Sequence, residues 1–202
     1  MKLNDAIKYR RSVRKFKDVP VPDSILDEML EAARLAPSPG NSQGHYFGVI
    51  KDKVIKEQLA NAAGCQMWIA TAPIVFACCA DISWDLAKQP EDDFGVIVNK
   101  LRFDNDFLNY ICSYPDSKAR MTLLENGTPL IPAEHIFLTA IAHGLSACFV
   151  GYLDISKANE ILRLPQNKTC LFLLPVGYAD EKPIDKHLKA INEIVFYDKW
   201  EA

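Results

Sequence analysis

The 202-residue sequence lacks both an apolar run long enough to cross a bilayer and an excess of positive charge. A membrane-spanning helix needs about 20 consecutive apolar residues, so we expect no membrane partner. The opening residues, MKLNDAIKYRRS, are too charged for the apolar core of a signal peptide, which favours a cytoplasmic location. The net charge of -3 argues against nucleic acid as a general partner, because nucleic-acid binders usually carry a strongly basic face.

Motifs for metal and nucleophile chemistry are missing as well. None of the six cysteines belongs to a C-x-x-C pair, and most lie in apolar runs such as IVFACCA, where a thiol is typically a small buried hydrophobe. The four histidines show no H-E-x-x-H spacing. The sequence also has no P-loop and no serine-protease motif. These absences disfavour a metalloenzyme.

What is present is the composition of a folded protein, with 49% apolar and 24% charged residues. We expect one domain over residues 1–202, with an irregular helical excursion at about 82–130. Hydrophobic periodicity predicts helices at 4–11, 24–35, 54–63, 132–143 and 155–163. Apolar or alternating runs predict strands at 46–50, 73–80, 145–150 and 169–175, and residues 194–197 are a candidate last strand, within this chain or paired with another subunit. Because helices and strands do not strictly alternate, the pattern favours an α+β fold.

Three polar segments stand out, and the first is residues 10–16, RRSVRKF. Arginine offers planar, bidentate donors suited to phosphate, and a serine hydroxyl adds a further bond. If residues 12–16 are extended, Ser12, Arg14 and Phe16 share one face. The alternative is that Arg10 and Arg11 merely end a helix, where the helix dipole favours cations.

The second polar segment is residues 37–43, PSPGNSQ, and the third is residues 144–152, GLSACFVGY. The second has the composition of a turn, yet its hydroxyl and amide groups also suit the edge of a heterocycle. The third is an apolar strand that ends in glycine, which lets a flat ligand approach the backbone. Each segment by itself has an ordinary structural explanation.

Together and in this order, the segments resemble the nitroreductase family of FMN-dependent oxidoreductases. The matching pieces are RRSVRKF, EAARLAPSPGNSQ, TAPIVF, HGLSACFVGYLD and LLPVGYADEKP. The resemblance implies a central, mostly antiparallel sheet flanked by helices. It also implies an intertwined homodimer with FMN at the subunit interface.

The resemblance implies roles for individual residues. Arg10 and Ser12 would hold the ribityl-phosphate end, with Arg11 beside them. Arg14 would approach the pyrimidine edge of the flavin ring. The other implied contacts are Pro37, Ser38 and Asn41 from the other subunit, Gln66 at the ring edge, and the backbone around Val150 and Gly151 near the flavin N5 atom.

One stretch departs from the family pattern. Family members commonly carry a lysine and an arginine before a proline and the last strand, whereas residues 186–191 read KHLKAI. Leu188 takes the place of the arginine. Lys186 and Lys189 could supply the charge, although only as point charges without a bidentate fork.

The resemblance implies an FMN-dependent NAD(P)H oxidoreductase. NADH or NADPH would donate hydride, and a nitroaromatic, a quinone or a similar small-molecule electron acceptor would then be reduced in ping-pong fashion. Three alternatives stay open: a flavoenzyme of the same fold with oxidase or dehalogenase chemistry, a flavin-binding protein without turnover, and an interaction protein that has lost the cofactor.

Overall fold

Four strands form the centre of the fold, and the computed structural model, which describes residues 1–200, pairs them in one antiparallel sheet. They are β1 (His45–Ile50), β2 (Ile74–Asp81), β3 (Ser146–Ala147) and β4 (Lys168–Gly177). Their spatial order is β1-β2-β4-β3. The predicted α+β class and mostly antiparallel sheet are confirmed.

The two central strands, β2 and β4, are buried on both faces. Ile74 pairs with Val176 and Asp81 with Lys168 at the two ends of their ladder. Every β2 residue before Asp81 is buried, in agreement with the continuous apolar run that predicted a strand covered on both sides. The sheet is therefore the middle layer of the fold.

Eight α-helices surround the sheet within residues 1–200. They are α1 (Leu3–Tyr9), α2 (Asp23–Arg34), α3 (Lys53–Ala62), α4 (Phe94–Arg102), α5 (Asn105–Ser113), α6 (Ser117–Leu124), α7 (Leu130–Ala142) and α8 (Ile155–Ile161). Met29 of α2 and Ile136 of α7 belong to the core cluster on one face. Leu59 of α3 and Ala158 of α8 belong to the cluster on the other face. None of the helices in residues 1–200 has the length and apolar character needed to span a membrane.

The first two helices refine the predicted boundaries. Helix α1 ends at Tyr9 rather than at residue 11. Helix α2 buries Leu26, Met29 and Ala33 on the expected stripe. Its N-cap is Pro22, and the exposed Asp23 carboxylate in its first turn accepts a 3.0 Å bond from Lys51 Nζ.

The third strand is shorter than the predicted 145–150. Ladder pairing covers Ser146 and Ala147 and resumes at one isolated bridge, between Val150 and Leu173. The partner residue between them is Pro175, whose carbonyl accepts from Cys148 N at 3.3 Å. Proline has no N–H to return a bond, so the ladder is interrupted there.

The predicted strand at 194–197 is wrong for the single chain. A short 3-10 turn at Ile191–Glu193 precedes these residues, and they pair with no strand within residues 1–200. Their side chains are exposed, with Tyr197 at 83%. Pairing with another subunit stays a prediction.

The excursion contains α4, α5 and α6, and a buried ion pair within it joins α6 to the segment that follows β2. Arg120 Nη2 lies 2.8 Å from both Asp85 carboxylate oxygens, and each side chain is 5% exposed. Ser117 Oγ donates to the same carboxylate at 2.5 Å. Burial alone would raise the pKa of Asp85, but the hydrogen bonds from Arg120 and Ser117 outweigh it and hold that pKa well below its usual range.

Candidate functional site

A pocket of about 410 Å³ lies beyond the C-terminal end of β4. This volume is in the range of about 300–1,000 Å³ that small-molecule sites occupy. Two stretches of chain far apart in sequence line it: Arg10, Arg11, Ser12 and Arg14 from the first, and Glu181, Lys182, Ile184, Asp185 and Lys186 from the second. The structure thus brings five of the predicted site residues together: Arg10, Arg11, Ser12, Arg14 and Lys186.

Main-chain bonds hold these two stretches side by side. Lys17 N donates to Tyr178 O and Asp180 N donates to Lys15 O, both at 2.8 Å. On the other side, Val13 N donates to Ala147 O in β3 at 3.2 Å. The extended conformation expected after residue 12 is therefore fixed from both sides.

The side chains of this extended segment point partly in other directions than expected. Ser12 and Arg14 line the pocket as expected, whereas Phe16 turns into the core and is 5% exposed. Val13 is fully buried in the same core cluster. Because the segment pairs regularly only at Ser12 and Phe16, its side chains do not follow the strict two-residue alternation of a continuous strand.

The pocket carries more positive than negative charge. Its five cations are Arg10, Arg11, Arg14, Lys182 and Lys186, and its two anions are Glu181 and Asp185. Within residues 1–200, no carboxylate lies within 4.0 Å of the guanidinium of Arg10 or Arg14. Burial, followed by the neighbouring charges of Arg10 and Arg11, lowers the pKa of Lys186. An incompletely balanced cationic cluster of this kind suits a phosphate group.

The neighbouring residues Arg10 and Arg11 make different contacts in the structure. Arg11 Nη1 donates to Arg10 O at 2.9 Å and to Lys8 O at 3.2 Å, so this side chain closes the carboxyl end of α1. Its other Nη lies 4.0 Å from a carboxylate oxygen of Asp185. Arg10 instead places its guanidinium 5.8 Å above the Phe137 ring. The helix-end explanation therefore applies to Arg11, whereas the Arg10 guanidinium has no carboxylate within 4.0 Å among residues 1–200 and is the one placed for a ligand.

The second stretch supplies residues that the sequence did not single out. Glu181 accepts a 2.5 Å bond from Arg14 N, and Lys182 adds a cation to the pocket. Lys189 does not line the pocket, and Leu188 is 76% exposed. The charged residues of the sequence ADEKP indicated a possible polar site, but only the pairing of this stretch with residues 14–17 shows that Glu181 and Lys182 face the pocket.

Val150 and Gly151 differ in what their backbones can offer. Val150 N donates to Leu173 O at 2.9 Å, and Leu173 N donates to Val150 O at 3.0 Å. Both polar backbone groups of Val150 are therefore committed to the sheet. No backbone bond within residues 1–200 engages the N–H of Gly151, and a Cβ there would meet open space. Of the two, Gly151 is the position that a ligand can approach.

Gln66 lies in a tight turn that packs against Tyr152, the residue that follows Gly151. Its Nε2 donates to Ala63 O at 2.7 Å, which leaves the side-chain oxygen as the group available to a ligand. Gly64 in the same turn has a φ of +70°, and a Cβ there would lie 2.1 Å from the Tyr152 ring. Close packing of Tyr152 on Gly64 thus brings the Gln66 turn next to Gly151.

The polar loop at 37–43 lies at the opposite end of the sheet from the pocket. Directly after it, Gly44 O accepts from Asp81 N at 2.7 Å, and Asp81 pairs with Lys168 at the start of β4. The pocket lies past the other end of this ten-residue strand, which is about 30 Å away at about 3.3 Å per residue. Pro37, Ser38 and Asn41 therefore do not reach the pocket of their own chain.

The described residues offer little for metal chemistry. Within residues 1–200, no group of three or more histidine, cysteine, aspartate or glutamate side chains is arranged to hold a metal ion. Four of the six cysteines are buried, as expected, whereas Cys112 is half-buried and Cys65 is exposed. The chemistry that the pocket supports is binding of an anionic group.

The sequence pattern that defines the nitroreductase family matches residues 7–178. The chain belongs to the nitroreductase family. Among its relatives, it is 29% identical over 189 residues to an NADH dehydrogenase of Thermus thermophilus, covering 93% of this chain and 92% of the relative. It is 37% identical over 190 residues to an FMN reductase [NAD(P)H] of Bacillus subtilis, covering 91% of this chain and 70% of the relative.

Solved structures agree with the nitroreductase fold. An NADPH:FMN oxidoreductase from Vibrio harveyi complexed with NAD+ superposes with a TM-score of 0.76 at 22% identity, covering 99% of this chain and 78% of that one. A nitroreductase family protein from Streptococcus pneumoniae gives a TM-score of 0.73 at 24% identity, covering 96% and 99%. These likenesses establish the fold.

Proposed function

We propose that this chain is an FMN-dependent NAD(P)H oxidoreductase that reduces small electron acceptors such as nitroaromatics or quinones. The observation that carries the proposal is the cationic pocket in which Arg10, Ser12 and Arg14 meet Lys186. The named activities of the Bacillus subtilis and Vibrio harveyi relatives agree with it.

The pocket residues fit the two ends of FMN. Arg10, Ser12 and Lys186 would bind the phosphate, since they combine a guanidinium, a hydroxyl and an ammonium group in one pocket. Arg14 would lie at the pyrimidine edge of the ring, where a cation stabilises the negative charge of the reduced form. Bound FMN would supply hydride transfer at N5. Lys182 is a further candidate for the phosphate.

The remaining contacts come from backbone and turn groups. The open N–H of Gly151 would face the reactive side of the ring, with Val150 buried behind it as support. The side-chain oxygen of Gln66 would accept a bond at the ring edge. Lys189 lies outside the pocket of the single chain, so we assign it at most a long-range charge effect.

We further propose that the protein is a homodimer in which each pocket is completed by the partner. A single chain keeps the loop at 37–43 at the far end of its sheet, so Pro37, Ser38 and Asn41 reach a flavin only if they belong to a second copy. The tail also exposes apolar side chains that a monomer leaves in water: Ile184, Leu188, Ile191, Ile194, Phe196, Tyr197 and Trp200. Light scattering on the purified protein tests this, and a monomer mass with bound FMN would contradict it.

The test of the proposed function is a visible spectrum of the purified protein, repeated anaerobically after addition of NADH and of NADPH. We expect a flavin spectrum that bleaches with at least one donor and returns when a nitroaromatic or a quinone is added. A flavin spectrum that does not bleach would indicate a binding protein without turnover. A colourless protein that takes up no added FMN would overturn the proposal.

A further inference from the structure

We infer that Glu181 is a positioning residue for Arg14: its carboxylate fixes the backbone of Arg14 at the pocket, and its charge weakens the stabilisation that Arg14 gives to a reduced flavin. The inference rests on the proposed function for its second half, because it assumes that flavin binds this pocket. The positioning of the Arg14 backbone by Glu181 does not depend on a bound flavin.

The positioning follows from where the hydrogen bond lies. The paired stretches are joined by the bonds from Lys17 N to Tyr178 O and from Asp180 N to Lys15 O, both 2.8 Å long. Beyond Lys15 the main-chain pairing stops, and Glu181 continues it with a side chain, accepting from Arg14 N at 2.5 Å. This charge-assisted bond thus fixes the residue that carries the guanidinium.

The electrostatic role follows from which acid faces the pocket. Neighbouring residues of an extended segment point to opposite sides. Glu181 lines the pocket, whereas the Asp180 carboxylate pairs with Lys15 Nζ at 2.9 Å outside it. The Glu181 carboxylate therefore lies in the same pocket as the Arg14 guanidinium. Its negative charge would repel the negative charge of a reduced flavin bound there.

Asp185, the other acid of the pocket, is less suited to this task. Its nearest cation is Arg11, at 4.0 Å, and its side chain is fully solvent-exposed. Within residues 1–200, the backbone of the segment that carries Arg14 donates to the Glu181 carboxylate and not to that of Asp185. Glu181 is therefore the acid that combines a fixed geometry with a place beside Arg14.

The experiment compares three variants. Glu181→Gln keeps an oxygen acceptor for the Arg14 amide and removes the charge. Glu181→Ala removes both. Asp180→Asn makes the same charge change one residue away, outside the pocket, and is the matched control. Two quantities are measured: amide hydrogen exchange of Arg14 in the flavin-free protein by NMR, and the ratio of dissociation constants for oxidised and reduced FMN, obtained from the shift in reduction potential on binding.

We expect Arg14 amide exchange to accelerate at least about tenfold in Glu181→Ala and to change little in the other two variants. We expect Glu181→Gln to favour reduced over oxidised FMN by about a further tenfold, which equals a rise of about 30 mV in the two-electron potential. Asp180→Asn should leave that ratio within about twofold of the wild type.

The outcomes separate the two halves of the inference from the proposed function. Unchanged Arg14 exchange in Glu181→Ala would overturn the positioning role, whether or not flavin binds. A bound flavin whose potential does not rise in Glu181→Gln, or rises equally in Asp180→Asn, would overturn the electrostatic role. Wild-type protein that binds no FMN would overturn the proposed function and the electrostatic role with it, and the exchange result would still decide the positioning role.

Discussion

Two regions of this molecule contain arginines in opposite settings, one paired with a buried carboxylate and the other in an open cationic pocket. In the excursion, Arg120 and Asp85 form a bidentate pair with each side chain 5% exposed. Arg120 also donates to Tyr114 O, and Ser117 adds a bond to the carboxylate. In the pocket, Arg10 and Arg14 have no carboxylate within 4.0 Å among residues 1–200.

The difference shows how the same side chain serves structure in one place and binding in another. A buried charge must have its partners inside the protein, because water cannot solvate it. A charge at the wall of a pocket keeps its hydration and can exchange that water for a ligand anion. Satisfied donors therefore indicate a structural role, and free donors beside other cations indicate a binding role.

The largest expected effect is on stability, from breaking the buried pair. Arg120→Ala should lower the free energy of unfolding by about 3–5 kcal/mol, because it leaves Asp85 buried without its main partner. Urea denaturation measures this. Arg34→Ala is the matched control, since its pair with Glu31 is exposed and should contribute less than about 1 kcal/mol. Equal losses in the two variants would contradict the assignment.

Acid should weaken the same pair in a defined direction. The pKa of Asp85 is lower in the folded chain than its unfolded value of about 3.9. Its contribution to stability is therefore complete above the unfolded pKa and is lost as the pH falls through the folded pKa. The free energy of unfolding of Asp85→Asn should fall less steeply than that of the wild type below about pH 4.5. Parallel curves would refute this, since the other carboxylates are common to both proteins.

In the pocket, substitution should affect ligand affinity more than folding. Arg10→Ala should weaken FMN binding by about tenfold to a hundredfold, as expected for losing one or more hydrogen bonds to a charged phosphate. Fluorescence titration of FMN measures this. Arg11→Ala provides the contrast, because Arg11 closes the end of α1 and its loss should also lower stability by about 1 kcal/mol. If Arg10→Ala destabilises the fold by several kcal/mol without weakening FMN binding, its role is structural.

The smallest effect should distinguish the two lysines. Lys186 lines the pocket and Lys189 does not. Lys186→Ala should weaken FMN binding about threefold to tenfold, since a partly screened point charge contributes about 1 kcal/mol. Lys189→Ala should change the affinity less than about twofold, and the same titration compares them. A larger effect at Lys189 would mean that the tail reaches a different pocket, that of a partner chain.

Much of the fold was predictable because its signals are local. The buried strand at 74–81 follows from a continuous apolar run, and the stripe of Leu26, Met29 and Ala33 follows from helical periodicity. The errors occur where distant residues intervene. Pro175 interrupts the third strand from across the sheet, and Phe16, which was expected to share a face with Ser12 and Arg14, pairs with Ala179 and turns into the core.

The sequence by itself supplied the arginines and the serine at 10–14 that line the pocket, and it offered the polar loop at 37–43 and Gly151 as further candidates. Only the tertiary structure decided which of these groups meet. Pairing of residues 14–17 with 178–181 brought Glu181, Lys182 and Lys186 to Arg10 and Arg14, and the length of β4 kept the polar loop away. Residue types and short-range periodicity can be read from the local sequence. Whether distant site residues come together depends on strand direction and register, which contacts between distant segments fix.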